Sequence, residues 1–481
     1  MINLILKLRT TSSKWKKINP LLLPFSDVAS EKVSFPKLIQ LSLLQVSVGI
    51  SFVLLVGTLN RVMIVELGVP ASIVAIMVAL PLVFAPFRAL IGFRSDTHKS
   101  AIGWKRVPFL WIGSLLLFGG LATLPFALIL LSGDTHWPRS FAVLSSGLCF
   151  LLVGSGAQII QTAGLALATD IVDKELKPRV VALMYSMLLV GMIFSGIVLS
   201  SLLDPFSQIK LIQVVQSVAV VTFFLNMIAL WKQEARDPKK TKSMSKDIKF
   251  KIIWKKLLGV PNVKRFFLAL AIGTAAFSMQ DVILEPYGGQ ILAMTVSETT
   301  LLTTFSSSGA FLAFGFAAWV LNKNVNASRL AAVGALIGVI GFSLIVFAEP
   351  TNLIFLFILG VFFIGFGGGL FSICCLVQAM KLDTGGFSGL VIGAWGGVQA
   401  IAMGVGIALG GILRDFTEFF LIESQIANFP LDPSFAGYLM VYHVEILLLF
   451  LVLVVIGPLV SNAEGFSEPD QKKFGLASFP S

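Results

Sequence analysis

The sequence predicts an all-α membrane protein with about 12 transmembrane helices in two six-helix halves. The first observation is composition: of 481 residues, 56% are hydrophobic and only 13% are charged, whereas soluble domains average about 25% charged residues. The second is the length of the apolar stretches, because helices that cross the bilayer satisfy their own backbone groups inside lipid. The third is the positive charge, which falls on alternate loops.

Each half contains six apolar stretches of roughly the 20 residues that a membrane-spanning helix needs. In the first half they lie near 39–60, 70–92, 107–131, 141–169, 180–203 and 211–231. In the second half they lie near 266–285, 299–321, 328–348, 353–379, 388–412 and 436–459. The predicted division is a cytoplasmic segment suited to the membrane surface at 1–37, a half at 38–231, a basic cytoplasmic linker at 232–265, a half at 266–460 and a cytoplasmic tail at 461–481.

Lysine and arginine are concentrated on one side of the predicted spans. With an even number of spans, 31 of the 36 basic residues fall in the two terminal segments and in alternate loops. The positive-inside rule therefore predicts a multi-pass protein with both termini and the central loop in the cytoplasm. Anionic lipid headgroups are a sufficient partner for the net charge of +11, so no nucleic acid is expected. The linker stretch 249–258 is either an interfacial helix or a solvated connection.

A loop motif between the second and third predicted spans narrows the fold. Its glycines let two helices approach closely, and its aspartate can pair with an arginine or with the end of a neighbouring helix. Its two adjacent basic residues hold the loop on the cytoplasmic side. The motif resembles the loop signature of the major facilitator superfamily, which also has six plus six helices around a cytoplasmic connection. The residues concerned are Gly92, Arg94, Asp96, Gly103, Lys105 and Arg106, with Asp170 and Arg179 around the next cytoplasmic loop.

Eight longer strings narrow the resemblance further, and they run from the first predicted span to the eleventh. The strings are LNRVMIVELGVPAS (59–72), RALIGFRSDTHKS (88–100), GWKRVPFLWIGS (103–114), QTAGLALATD (161–170), PRVVALMYSMLLVGM (178–192), LIQVVQ (211–216), MQDVILEPYGGQ (279–290) and GAWGGVQA (393–400). Together they resemble one family within that superfamily, the PucC/LhaA family of bacteriochlorophyll delivery.

The resemblance implies a function that composition and spacing do not show. It implies a membrane-embedded assembly factor that binds or delivers (bacterio)chlorophyll while light-harvesting or photosystem complexes are assembled. The implied cargo is (bacterio)chlorophyll, with no other cofactor, and the implied partners are the lipid bilayer, light-harvesting or photosystem polypeptides and chlorophyll synthase. The implied location is the cytoplasmic membrane or an internal, thylakoid-type photosynthetic membrane of a phototroph.

Charged residues inside the predicted spans suggest a gate, because a charge at membrane depth needs a partner or a use. Arg61 lies at the outer end of the first span, and Asp281 and Glu285 share a helix face in the seventh. Pro286 and the glycines after it predict an interruption of that helix. We therefore predict that Arg61 pairs with Asp281 or Glu285 to close the outer mouth. The alternative is that Arg61 and Glu66 cap the first span while Glu285 is solvated.

Embedded amides are the candidates for contact with a pigment. The magnesium of a chlorophyll takes a nitrogen or oxygen ligand, which an amide can supply, although hydrogen bonds between helices are the commoner explanation for such amides. The dense glycines of the last third permit either close helix packing or a flat cleft for a macrocycle. The candidate glutamines are Gln45, Gln158, Gln161, Gln280 and Gln399.

Three functions are compatible with the sequence. No catalytic constellation and no metal-ligand spacing is recognisable, so we expect a protein that is not an enzyme and holds no metal of its own. The first function is the pigment-binding assembly factor. The second is a proton-coupled transporter of a small solute, with Asp281 or Glu285 as the titrating group. The third is a scaffold for light-harvesting polypeptides that transports nothing.

Overall fold

The computed structural model describes residues 33–83, 106–133, 136–173, 176–233, 262–323, 325–381, 388–424 and 431–461. Within these ranges eleven helices are long and apolar enough to cross a membrane, and the apolar segment Ala71–Leu82 is shorter. This confirms the predicted helical membrane protein. The helices are α1 (Phe35–Glu66), α2 (Ala71–Val83), α3 (Val107–Leu131), α4 (Arg139–Ile171), α5 (Lys177–Leu202), α6 (Gln208–Leu230), α7 (Val263–Gln290), α8 (Val296–Leu321), α9 (Ala327–Ala348), α10 (Ile354–Lys381), α11 (Ser388–Glu423) and α12 (Pro433–Ser461).

The helices form two halves that repeat the same packing. In the first half α3 packs on α4, α1 packs on α5 and α6, α2 packs on α4, and α3 packs on α6. Each of these pairs recurs six helices later: α9 packs on α10, α7 packs on α11 and α12, α8 packs on α10, and α9 packs on α12. The repeat confirms the predicted architecture of six plus six helices.

Glycine brings the strongest helix pair of each half into backbone contact. A Cβ on Gly156 of α4 would lie 2.5 Å from the backbone nitrogen of Leu117 in α3. A Cβ on Gly367 of α10 would lie 2.6 Å from the carbonyl oxygen of Gly334 in α9. Backbones that approach this closely exclude any larger side chain. Close packing is therefore the role of these glycines.

The two halves meet through α2 with α11 and through α5 with α8. Gly411 of α11 packs against Ala71 and Ala75 of α2, and Gly196 of α5 packs against Thr304 of α8. These contacts lie toward one end of the bundle, formed by residues 53–72, 196–200, 281–304 and 411–415. We call this end the outer gate, because the predicted topology places it away from the cytoplasm.

Both central helices of the outer gate are irregular. Helix α1 continues from an α-helix (Phe35–Phe52) into two π-helical segments, Val53–Leu59 and Val62–Glu66, a form that is frequent at functional sites. Helix α7 changes at Met279–Val282 into a 3₁₀ turn and resumes as Leu284–Gln290. The predicted position of this interruption was wrong. Pro286 lies in the first turn of the resumed helix, where no backbone N–H donor is needed.

Candidate functional site at the outer gate

The centre of the gate is Glu285, which joins three helices. Its side chain is 3% exposed. Asn60 of α1 donates from Nδ2 to Glu285 Oε2 at 2.9 Å, and Thr303 of α8 donates from Oγ1 to Oε1 at 3.1 Å. Asn60 also donates to the carbonyl oxygen of Val282 at 3.2 Å. A buried carboxylate needs such donors because it has lost its water, so Glu285 holds α1 and α8 against α7.

Further hydrogen bonds join the halves around this centre. Most of them join neutral groups. In one, the Asp415 carboxylate accepts a hydrogen bond from the first turn of α2, where the helix dipole favours a negative charge. Each links a helix of the first half to one of the second. The bonds are Thr58 Oγ1 with Thr300 Oγ1 at 3.2 Å, Ser200 Oγ with Ser297 Oγ at 2.8 Å, and the Ser72 backbone nitrogen with Asp415 Oδ2 at 2.7 Å.

Arg61 has a different partner from the one predicted. It forms its ion pair with Glu66 of the same helix and donates from Nη2 to the carbonyl oxygen of Met294 at 3.2 Å. The link to Glu285 comes instead from its neighbour Asn60. The alternative was also wrong in part: Arg61 does pair with Glu66, but Glu285 is buried rather than solvated. Consecutive residues of a helix point to different sides, so a one-residue shift changes the partner.

A second polar cluster surrounds Arg414 at the outer end of α11. The side chain is 7% exposed and pairs with Asp415 at 2.8 Å and with Glu418 at 2.5 Å. It donates to Gln290 Oε1 at 3.2 Å and lies over the ring of Tyr438, 4.8 Å from its centroid. Because Asp415 also binds α2, this cluster ties α7, α11 and α12 to the first half.

The sequence analysis missed Glu445. This residue lies in the middle of α12, is 0% exposed, has no side-chain hydrogen-bond partner, and its carboxyl group faces the backbone of Gln280 in α7. It interacts electrostatically with Asp281, which in turn interacts with Glu285. The hydroxyl groups of Tyr287 and Tyr442 are also buried without a partner. A carboxylate inside an apolar stretch is itself a sequence signal, so the same reasoning that selected Asp281 selects Glu445.

The predicted loop motif is described only in part. Arg106 Nε lies 3.0 Å from Asp170 Oδ2, so the start of α3 is paired with the end of α4. Arg179 lies in the first turn of α5. The remaining motif residues lie outside the described ranges: Gly92, Arg94, Asp96, Gly103 and Lys105.

The five candidate glutamines differ in their surroundings. Gln45 is 1% exposed and neither atom of its amide has a partner, while Gln158 is half-buried with an unpartnered carbonyl oxygen. Gln280 donates to Asp281 at 3.3 Å, and Gln399 donates to Ser372 at 2.9 Å. Gln161 is half-buried in α4. The five glutamines therefore lie on four helices, α1, α4, α7 and α11.

Among the described residues, two glycines near the N-terminal end of α11 have no neighbour at their Cβ positions. Ala400 and Ile407 lie on one row of the helix and are buried. Gly396 continues that row, yet a Cβ there would have no described atom within 4 Å, and the same holds for Gly397. The Nε1 of the neighbouring Trp395 is buried without a partner. With respect to the part of the chain that the structure describes, these glycines form a flat, uncovered surface, which we call the Gly396 face.

The repeated halves and their paired contacts define an integral membrane protein of the major facilitator fold. A solved POT family transporter, in complex with a thioalcohol-conjugated peptide, matches with a TM-score of 0.66 at 15% identity. The match covers 91% of this chain and 100% of that chain. At this identity the likeness shows the fold alone, and it confirms the predicted fold.

The family follows from sequence comparison. The family model described as PUCC protein matches residues 58–464, and the chain belongs to this family. Protein PucC of Cereibacter sphaeroides is 48% identical over 450 residues, which cover 93% of this chain and 97% of that protein. A Rhodobacter capsulatus protein named Bacteriochlorophyll synthase 44.5 kDa chain is 27% identical over 407 residues, 81% of this chain and 89% of that protein. The predicted family resemblance is confirmed.

Proposed function

We propose that this protein is a non-enzymatic assembly factor that binds (bacterio)chlorophyll and delivers it while light-harvesting or photosystem complexes are built. Membership of the PUCC family supports this function, and so does a relative whose name refers to bacteriochlorophyll synthase. Light-harvesting or photosystem polypeptides and the enzyme that completes the pigment would be its partners in a phototrophic membrane.

The Gly396 face is the observation that carries the proposal. A chlorophyll macrocycle is a flat apolar plate, and a helix surface without side chains can lie against such a plate. The face belongs to the string 393–400 through which the chain resembles its family. Half-buried Gln399 lies beside it, and amide or backbone oxygens are the type of ligand that magnesium prefers.

The test is purification of the full chain from a phototrophic membrane, followed by an absorption spectrum. The wild-type protein should carry a red absorption band of bound pigment, and Gly396→Leu should lose most of it because the side chain fills the flat face. The matched control is Gly315→Leu in α8, another glycine with no described atom within 4 Å of its Cβ position. That variant should keep the band.

Two results would contradict the proposal, and a third would contradict the site at the Gly396 face. A wild-type protein without any pigment absorption band would show that the protein does not bind the pigment. Co-purification of a light-harvesting polypeptide without pigment would replace the carrier with a scaffold. Equal pigment in the Gly396→Leu and Gly315→Leu variants would move the site elsewhere in the chain.

A further inference from the structure

Three carboxyl groups meet inside the second half at membrane depth. Asp281 lies within the 3₁₀ turn of α7, Glu285 lies in the helical segment that follows it, and Glu445 lies 12 residues into α12, about 18 Å along its axis. Asp281 interacts electrostatically with both of the others. Glu285 and Glu445 are buried, whereas Asp281 is half-buried. Asp281 is therefore the least buried of the three side chains.

The described cations near this cluster have other partners. Arg61 pairs with Glu66, and Arg414 pairs with Asp415 and Glu418. Three carboxylates that repel one another inside a protein are costly without a positive charge. A proton is the smallest ligand that neutralises one of them.

A buried hydroxyl that lacks a partner points to the same ligand. Tyr442 lies one helical turn before Glu445, is 0% exposed, and its hydroxyl has no hydrogen-bond partner. It interacts electrostatically with Glu285 and Glu445 as well as with Tyr287 and Tyr438. A hydroxyl can donate to a carboxylate and can accept from a carboxylic acid, so it suits a group that gains and loses a proton.

We propose that Asp281, Glu285 and Glu445, with Tyr442, form a proton-binding site, and that the position of the proton controls the outer gate. Hydronium transfers its proton through Asp281, so that an O–H bond forms on a carboxyl oxygen and water is released. While the proton is on Asp281 or Glu445, Glu285 accepts from both Asn60 and Thr303. When it moves to Glu285 Oε2, that oxygen becomes a donor, and the bond from the Nδ2 of Asn60, which cannot accept, is lost.

This site goes beyond pigment binding and does not depend on it. Infrared spectra of the full chain in lipid nanodiscs, recorded over a pH series, test the proton directly. The wild type should show a carboxylic acid band that disappears on raising the pH, and Glu445→Gln should lose one such component. Tyr442→Phe should shift the carboxylic acid band without removing it. This variant replaces Glu445→Gln as the test if Glu445→Gln does not fold. The control is Glu423→Gln at the exposed end of α11.

Labelling of a gate cysteine tests the coupling. In a Ser297→Cys protein, the rate of maleimide labelling is divided at each pH by the rate of an exposed Ser201→Cys protein, because the thiolate fraction of any cysteine falls as the pH is lowered. Lowering the pH should raise this relative rate by about tenfold, the change expected for one charge-assisted hydrogen bond. Adding Asp281→Asn should abolish the pH dependence of the relative rate. An unchanged infrared spectrum in Glu445→Gln, or a relative labelling rate independent of pH in the parent protein, would overturn the proposal. Neither measurement depends on bound pigment. If the proton-binding site is disproved, the proposed pigment-delivery function is therefore unaffected.

Discussion

The two halves of this protein share their packing but not their buried charges. In α1–α6 the described buried charged side chains are Arg61 and Arg106, and in α7–α12 they are Glu285, Arg414 and Glu445. The first half thus contributes neutral hydrogen-bond donors such as Asn60 to the gate, and the second half contributes the carboxylates that accept these hydrogen bonds. The repeat preserves helix contacts, which small residues determine, and leaves the polar chemistry free to differ between halves.

The largest effect is expected from removing the anions of Arg414. The double variant Asp415→Asn with Glu418→Gln leaves a buried guanidinium without a counter-ion, which should cost about 3–5 kcal/mol of unfolding free energy. Denaturation of the purified protein by detergent titration measures this loss. Glu423→Gln, an exposed acid on the same helix, should change the stability by less than about 0.5 kcal/mol. Similar values for both variants would show that Arg414 needs no anion.

A smaller effect is expected for Asn60→Ala, compared with Asn226→Ala. Both asparagines are buried, but Asn60 bonds to Glu285 across the halves, whereas Asn226 accepts from Ser47 within the first half at 2.6 Å. Loss of a bond to a charged group should cost about 1.5–3 kcal/mol, and loss of the neutral bond about 1 kcal/mol.

The two asparagine variants also separate the gate from general stability. Maleimide labelling of a cysteine placed at Ser297 should become faster in Asn60→Ala and stay at the parent rate in Asn226→Ala. Faster labelling in both variants would mean that the gate simply follows the stability of the protein.

The smallest effect is expected at the neutral pair of Thr58 and Thr300, whose hydroxyl oxygens are 3.2 Å apart. Each single change to valine should cost about 1 kcal/mol, because it leaves one hydroxyl without that partner. The double change should cost less than the sum, with a coupling energy of at least about 0.5 kcal/mol. Detergent titration of the four proteins gives this value, and purely additive losses would show that the bond contributes nothing.

Much of the fold could be predicted from the sequence, because lipid imposes length and apolarity on every span. The glycines that allow close packing follow from the same reasoning, whereas the pairing of Arg106 with Asp170 was not predicted. Glu445 could have been found as well, since it stands alone among apolar residues of α12. These features depend on residue type and position along a helix.

The partners at the gate could not be predicted, because they depend on departures from the α-helix. The spacing argument for Arg61 assumed a regular first span, but π-helical segments rotate that end of α1 and present Asn60 to Glu285. The 3₁₀ turn at Met279–Val282 likewise precedes Pro286, the residue that suggested an interruption. Tertiary packing, rather than local propensity, determines such details.

The central claim is that the halves are closed against each other at the outer gate, and a disulfide tests it most directly. Ser200 and Ser297 lie on opposite halves with hydroxyl oxygens 2.8 Å apart, and the native cysteines are buried. Cysteines introduced at both positions should form a disulfide in the membrane, while Ser201→Cys with Ser297→Cys should not. Absence of the first disulfide under oxidising conditions would contradict a closed outer gate.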